Sequence, residues 1–303
     1  MTDNLDHLHT GVWSFLDEPL EDRITRLYMP KWVSYAGANE ALARMEFLLR
    51  HPPCGRMPSM LLYGDSDIGK TMIVDKFVRD HPNICNEHGE VEVRKVLRLQ
   101  MPPRPNDNKL YAQIIQALGH LAPFNRRGID LEILGLRLLY QQPPRLMIVD
   151  EVHHLLAGTV REQRQSLNQL KFLSNELRIP IVALGTSEAL YAMQADPQIA
   201  SRFEPMALPR WRESAELREF VVSFGRLLPL HKPSPFGEKE VIRKLMAFSA
   251  GLTGRITTLL AQAAEIAIRE KTESISLALL DRAAAAGIFK IPAEQRDEAD
   301  AEV

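Results

Sequence analysis

The segment Gly64-Asp65-Ser66-Asp67-Ile68-Gly69-Lys70-Thr71 fits the spacing G-x-x-x-x-G-K-[ST] at every fixed position. Such a segment can hold a chain of phosphates. Its glycines let backbone N–H groups turn inward as a nest, and a following helix adds partial positive charge from its N-terminus. An ammonium at Lys70 reaches the outer phosphates, and the Thr71 hydroxyl can take a place on a magnesium ion. Met72 closes the loop's contact set. A second acidic segment, Leu146-Met-Ile-Val-Asp150-Glu151, places two carboxylates at the end of an apolar run. In an open parallel sheet the C-terminal strand edge is where ligands bind. Asp150 there suits Mg²⁺, and Glu151 suits a general base acting on water.

Three further positions join these. Ile181-Val-Ala-Leu-Gly-Thr186 ends an apolar run in a hydroxyl. Thr186, or failing it Ser187, can meet a terminal phosphate or the attacking water, or Thr186 can cap the helix begun by Ser187-Glu-Ala-Leu; residue type alone fits both. Ser201-Arg202-Phe203 offers an arginine that could neutralise a transferring phosphoryl group from a neighbouring subunit. Gly251-Leu-Thr-Gly-Arg255 places an arginine at the start of a later helix. His153 and His154 follow the acids at once. Adjacent histidines do not share a helix face and no third ligand is evident, so a structural or coupling role is expected rather than zinc.

The elements that must position these groups are legible as a pattern. Apolar runs at 60–63, 91–99, 145–150, 180–185 and 206–208 read as strands. Helical periodicity covers 38–51, 70–79, 107–121, 129–141 and 160–178. Strands alternating with helices predict an α/β fold with a parallel five-stranded sheet flanked by helices. After Pro209 the strand signals stop, and 214–228, 238–249, 255–270 and 276–286 read as helices of an all-helical lid. The expected organisation is an N-terminal arm over 1–34, a nucleotide-binding domain over 35–209, the lid over 210–289 and an acidic tail over 290–303.

The 303 residues are 45% hydrophobic and 25% charged, with formal net charge −2. The molecule is therefore no polycation, and nucleic acid would have to meet a local basic patch or a ring of subunits. Cys54 and Cys85 read as free thiols, no run is long enough to span a membrane, and no signal peptide is visible, so a cytoplasmic protein without a membrane partner is expected.

Taken in order, these motifs resemble the phosphate loop, acidic strand, sensor 1, arginine finger and sensor 2 of AAA+ ATPases, over about 35–287. The resemblance implies ATP and Mg²⁺ as ligands, Arg202 as a finger acting in trans, and Arg255 as the sensor 2 arginine. Thr186 departs from the asparagine often found at sensor 1. The wording Tyr35-Ala-Gly-Ala-Asn-Glu-Ala-Leu, Asp150-Glu-Val-His-His-Leu, Leu184-Gly-Thr and Ser201-Arg-Phe-Glu is similar to the TniB family of transposon ATPases, relatives of the TnsC and MuB regulators. That likeness implies a homo-oligomer, ring or helical filament, that assembles on double-stranded DNA with ATP and activates a DDE-type transposase.

For DNA, Arg161, Arg164, Asn168, Lys171, Asn175 and Arg178 recur at steps of three and four, which puts them on one stripe of a helix. The stripe reads as a phosphate-binding face or as an ordinary solvated face. Arg104, Lys109, Arg126 and Arg127 form a second basic group. Two other readings exist for the motifs. Asp150-Glu-Val-His153 echoes a DEAH-type helicase, although about 300 residues with one phosphate loop is short for two motor domains. A nucleotide-gated adaptor would bind ATP without turning it over.

Overall fold

The computed structural model describes residues 5–85, 91–104, 107–121, 128–194 and 197–286. They form two compact units. One holds the residues up to Tyr35, Asp67–Gly69 and those from Pro209 onward; the other holds Ala36–Ser66 and Lys70–Leu208.

The larger unit opens with helix α2 (Ala36–Arg50), α1 (Leu20–Tyr28) belonging to the other unit. Strand β1 (Ser59–Tyr63) then runs into the loop and helix α3 (Lys70–Asp80). β2 (Ile84–Cys85) and β3 (Val91–Val93) form a small antiparallel pair. β4 (Val96–Gln100), α4 (Asp107–Ala117), α5 (Gly128–Gln141), β5 (Leu146–Asp150), α6 (Val160–Leu177), β6 (Ile181–Gly185), α7 (Ser187–Gln194), α8 (Pro197–Ala200) and β7 (Phe203–Ala207) follow. The five long strands pair in parallel in the order β4-β5-β6-β1-β7. β5 and β6 are buried at every residue, as the centre of a sheet covered on both faces requires. The core runs through Leu61, Leu97, Val149 and Ala183 to Ile114 of α4 and Leu170 of α6.

Two elements differ from the sequence reading. The alternating run 91–99 is two strands, not one. Arg94 between them is 8% exposed, and its guanidinium donates to the carbonyls of Ala117 and Leu118, each at 3.3 Å. Burying that side chain breaks the alternation, and only β4 enters the large sheet. The same contacts set a cation on the C-terminus of α4, which ends at Ala117 rather than near Leu121. Gly119, at φ 89°, turns the chain there, and His120 N–H closes on the carbonyl of Ile115 at 3.0 Å.

The smaller unit packs α1 with α9 (Ala215–Gly225), α10 (Lys239–Ser249), α11 (Thr253–Arg269) and α12 (Leu277–Ala286). Its core joins Ile24 and Leu27 of α1 to Leu260 and Ala264 of α11 and Leu280 of α12. Arg23 pins α1 down: it pairs with Glu273 at 2.6 Å and donates to the carbonyl of Pro229 at 2.7 Å. Within the segment expected as an arm, Ile24 and Leu27 thus belong to this helical core. The tail 290–303 lies outside the described residues.

Candidate nucleotide site

β1 delivers the chain from the sheet into the 64–71 loop, and α3 carries it away. Asp67 at φ 63° and Gly69 at φ 104° supply the left-handed backbone that a concave loop needs; only glycine takes the second without strain. Ile68 is buried and anchors the turn. Lys70 folds back over the loop, its ammonium donating to the carbonyls of Gly64 at 2.7 Å and Asp65 at 2.8 Å. Ser66 and Thr71 are exposed, while Met72 is half-buried. The Gly64 N–H donates to the carbonyl of Gly185 at 3.2 Å, which ties the loop to the end of β6.

β5 ends two strand positions away, about 10 Å across the sheet. Asp150 is 9% exposed. One of its carboxylate oxygens accepts from the Glu151 N–H at 2.9 Å and the other from Arg98 at 3.0 Å. Arg98 also pairs with Asp75, one helical turn beyond Thr71 on α3. Sequence reading passed over this arginine. Its signal was a charge at the centre of an otherwise apolar strand, Val96-Leu-Arg98-Leu-Gln, where only a partner makes it affordable.

Glu151 sits at φ 58°, and the 3₁₀ turn Val152–Ala157 starts directly after it. That conformation folds Glu151 back toward the histidines. His153 Nδ1 lies 3.0 Å from the Glu151 carboxylate without the alignment of a hydrogen bond, and the rings of His153 and His154 are 4.9 Å apart. His154 donates Nδ1–H to the carbonyl of Met101 at 3.0 Å. The third ligand that the spacing of the two histidines did not reveal is therefore Glu151, whose left-handed backbone turns its carboxylate toward His153. Gly185 lets this turn sit close. A Cβ there would meet Ala189 Cβ at 2.6 Å and Val152 Cγ2 at 3.1 Å.

Between the loop and Asp150 stands Thr186, directly after β6. Its hydroxyl oxygen is buried and has no hydrogen-bond partner in the structure, while the start of α7 is closed by the backbone instead, Ala189 N–H on the Thr186 carbonyl at 3.0 Å. Of its two readings, the cap is the one its side chain does not perform.

Arg202 lies elsewhere. Ser59 pairs with Phe203, so Arg202 is at the N-terminal edge of the sheet while the loop, Asp150 and Thr186 are at the C-terminal edge. Five residues of strand, about 16 Å, separate the two edges along β1. Its guanidinium donates to Asn175 of α6 at 2.5 Å. Burial and the neighbouring charge of Arg56 both pull its pKa down. Arg56 in turn is held by the carbonyl of Ser201 at 3.0 Å. Arg44, Arg56, Phe47 and Arg202 line an open cleft at this edge.

In the smaller unit, the loop tip meets the start of α11. Gly254 N–H donates to the carbonyl of Asp67 at 2.7 Å, and a Cβ on Gly254 would crowd Asp67 at 3.1–3.2 Å. Arg255 follows; its Nε is buried without a partner. Thr253, buried, accepts from Trp211 Nε1 at 3.0 Å. Tyr35, 5.0 Å ring to ring from Trp211, has its hydroxyl pushed up to about 12, first by burial and then by the charge of Glu216. Tyr35 and Thr253 lie within segments already quoted, Tyr35-Ala-Gly-Ala and Gly251-Leu-Thr-Gly-Arg255, but neither they nor Trp211 carry a spacing that marks this cluster.

The candidate DNA stripe divides. Arg161, Arg164 and Asn168 are exposed and, with Tyr111, Glu132 and Phe172, line a shallow concavity. Lys171 is taken up by Gln198 and Asn175 by Arg202. Arg104 and Lys109 are exposed, and Arg104 acts on Glu162 at the start of α6. Arg126 and Arg127 lie outside the described residues.

A parallel sheet ordered β4-β5-β6-β1-β7, the loop on β1 between β6 and β7, acids on β5 and a helical unit after the last strand define the AAA+ ATPase fold. Solved structures agree in fold. The Aeropyrum pernix ORC1 protein in complex with DNA superimposes with TM-score 0.65 at 18% identity, over 86% of this chain and 68% of that one. The Aeropyrum pernix ORC2 protein in its ADPNP-ADP complexes gives 0.62 at 20% identity, over 93% and 73%. The Thermotoga maritima RuvB Holliday junction branch migration motor gives 0.50 at 13%, over 85% and 72%. No curated protein matches the chain. The family model described as "Bacterial TniB protein" matches residues 23–213, and the chain belongs to the TniB family. No helix among the described residues is long and apolar enough to cross a membrane.

Proposed function

We propose that this chain binds ATP with Mg²⁺, hydrolyses it, and assembles as a homo-oligomer on double-stranded DNA to recruit or activate a DDE-type transposase. The observation that carries the nucleotide part is the buried, unpartnered hydroxyl of Thr186 between the phosphate loop and the paired carboxyl of Asp150. A buried hydroxyl without a partner is costly unless a ligand completes it. The loop's N–H groups and Lys70 take the phosphates, with Arg255 serving the same loop. The oxygen donors of Thr71 and Asp150 suit magnesium, a hard cation that keeps several waters. Held by those donors, magnesium would supply neutralising charge to the phosphates. Arg98, shared between Asp75 and Asp150, holds the Asp150 carboxyl in place. Glu151 takes the proton from the attacking water, and Thr186 orients that water or the terminal phosphate. Arg202 acts on the nucleotide of a neighbouring subunit, because its own loop is a full strand length away.

The DNA part rests on family membership and on the exposed Arg161, Arg164 and Arg104, supported by the ORC1 relative solved with DNA. The DEAH-type reading needs a second motor sheet, and the described residues form one. The adaptor reading is separated by turnover. Glu151→Gln is expected to bind ATP and to lose about 10²–10⁴ in rate, the usual share of a general base. Equal rates for parent and variant would favour a non-hydrolysing adaptor. Electron microscopy with duplex DNA, with and without a non-hydrolysable ATP analogue, tests assembly.

A further inference from the structure

We infer that Glu151, His153 and His154 form a second cation site, selective for zinc-like metals, whose occupation stops ATP hydrolysis. Each of the three residues offers a ligand atom, and these atoms all lie within 4.8 Å of one another. Two imidazoles and one carboxylate are the donor set of a three-ligand zinc site with room for water. Borderline metals favour imidazole, whereas the all-oxygen set of Thr71 and Asp150 suits magnesium. Neighbouring sites thus differ in the metal they prefer.

The tautomer of His154 is fixed in the sense a metal requires. A carbonyl can only accept, so the bond to Met101 places the proton on Nδ1 and leaves the lone pair on Nε2. Metal-binding histidines are oriented by this kind of bond to a backbone carbonyl. His153 brings a buried Nδ1 with no hydrogen-bond partner, 3.0 Å from the Glu151 carboxylate. Around a zinc ion with bonds of about 2.0–2.1 Å, ligands stand about 3.3 Å apart. Side-chain rotation on a half-exposed turn closes the remaining gap. The backbone scaffold is already set by Glu151 at φ 58° and by the close seat of the turn against Gly185.

A cation held there takes the carboxylate lone pairs of Glu151, which can then no longer accept a proton from water. The inhibition rests on Glu151 being the base; the binding does not. The two are therefore read separately. The full chain without nucleotide is titrated with Co²⁺ and followed by its visible d–d absorption, with Zn²⁺ as competitor. One saturable site is expected, displaced by Zn²⁺. Its affinity should fall by more than about tenfold in His153→Gln and in His154→Gln, since each removes a ligand. Absence of a saturable spectrum, or one unchanged in both variants, overturns the site. If a variant fails to fold by circular dichroism, protection of His153 and His154 from diethylpyrocarbonate by Zn²⁺ in the parent chain decides, and no protection overturns it. Zn²⁺ should lower ATP turnover while ATP binding persists; turnover unaffected at saturating Zn²⁺ overturns the inhibitory role. Cobalt binding in a chain with no turnover at all would leave the site standing and sink the hydrolysis reading instead.

Discussion

Replacing Arg202 by alanine tests the geometry of catalysis between subunits. The guanidinium sits at the N-terminal edge of the sheet, beside Phe203, which pairs with Ser59 at the start of β1. The loop begins after Tyr63, about 16 Å further along the strand. No rotamer of Arg202 spans that distance, so any effect on hydrolysis has to reach another copy's nucleotide. The local cost is small. The side chain is half-buried and its bond to Asn175 is worth about 1 kcal/mol, so the variant should fold and bind ATP. Turnover in an assembled preparation should fall by about 10³–10⁵, the contribution of a finger that neutralises charge on the transferring group. Arg202→Ala keeps its base and Glu151→Gln keeps its finger. Mixed in equal parts, they generate intact sites at about a quarter of head-to-tail interfaces. Steady-state phosphate release should therefore climb to roughly a quarter of the parent rate in the mixture while each variant alone stays near zero. A mixture no faster than its components would refute action in trans, and a variant with parental turnover would remove Arg202 from catalysis altogether.

Other outcomes follow from the same contacts. Lys70→Ala should abolish ATP-driven assembly, measured by light scattering with DNA; assembly retained at parental ATP concentrations would contradict the assigned grip. Partial burial of Glu273 raises its pKa, but the bonds from Arg23 and the His231 N–H outweigh this and leave it below its ordinary 4.5. Its contribution is thus complete above that value and disappears as pH falls below it. Arg23→Ala, which leaves Glu273 without its partner at 8% and 14% side-chain exposure, should cost about 3–5 kcal/mol in urea unfolding; a loss under about 1 kcal/mol would mean the pair behaves like a surface bridge. Gly185→Val should displace the turn bearing His153 and cost about 1–3 kcal/mol, seen as lower melting temperature together with weaker ATP binding; a silent substitution would show that the turn is not seated on β6. DNA affinity should decline with salt, and Arg161→Ala with Arg164→Ala should each flatten the log–log slope by about one unit; an unchanged slope would leave the stripe an ordinary solvated face.

The residues dictate much of this protein by local rules. A glycine-bracketed loop before Lys70-Thr71 has one use for its geometry, and apolar runs of four or five bounded by helices have one economical arrangement, a parallel sheet. These are short-range facts, and by themselves they put the loop, Asp150, Glu151 and Thr186 on one edge of the sheet. Tertiary structure decided what depends on distant partners. Arg94 reads as part of an alternating strand until its guanidinium is found on the last carbonyls of α4. Arg98 goes unmarked in the sequence, and only the tertiary structure sets it between Asp75 and Asp150. Thr186 could cap a helix or face a ligand, and only the absence of a bond from its hydroxyl separates the two. The left-handed backbone at Glu151 brings its carboxylate to His153, an approach that residue spacing does not show. Periodicity reports which face a residue takes, because neighbours fix that; it cannot report which side chain from another element meets it there, because that choice is made by packing across the chain.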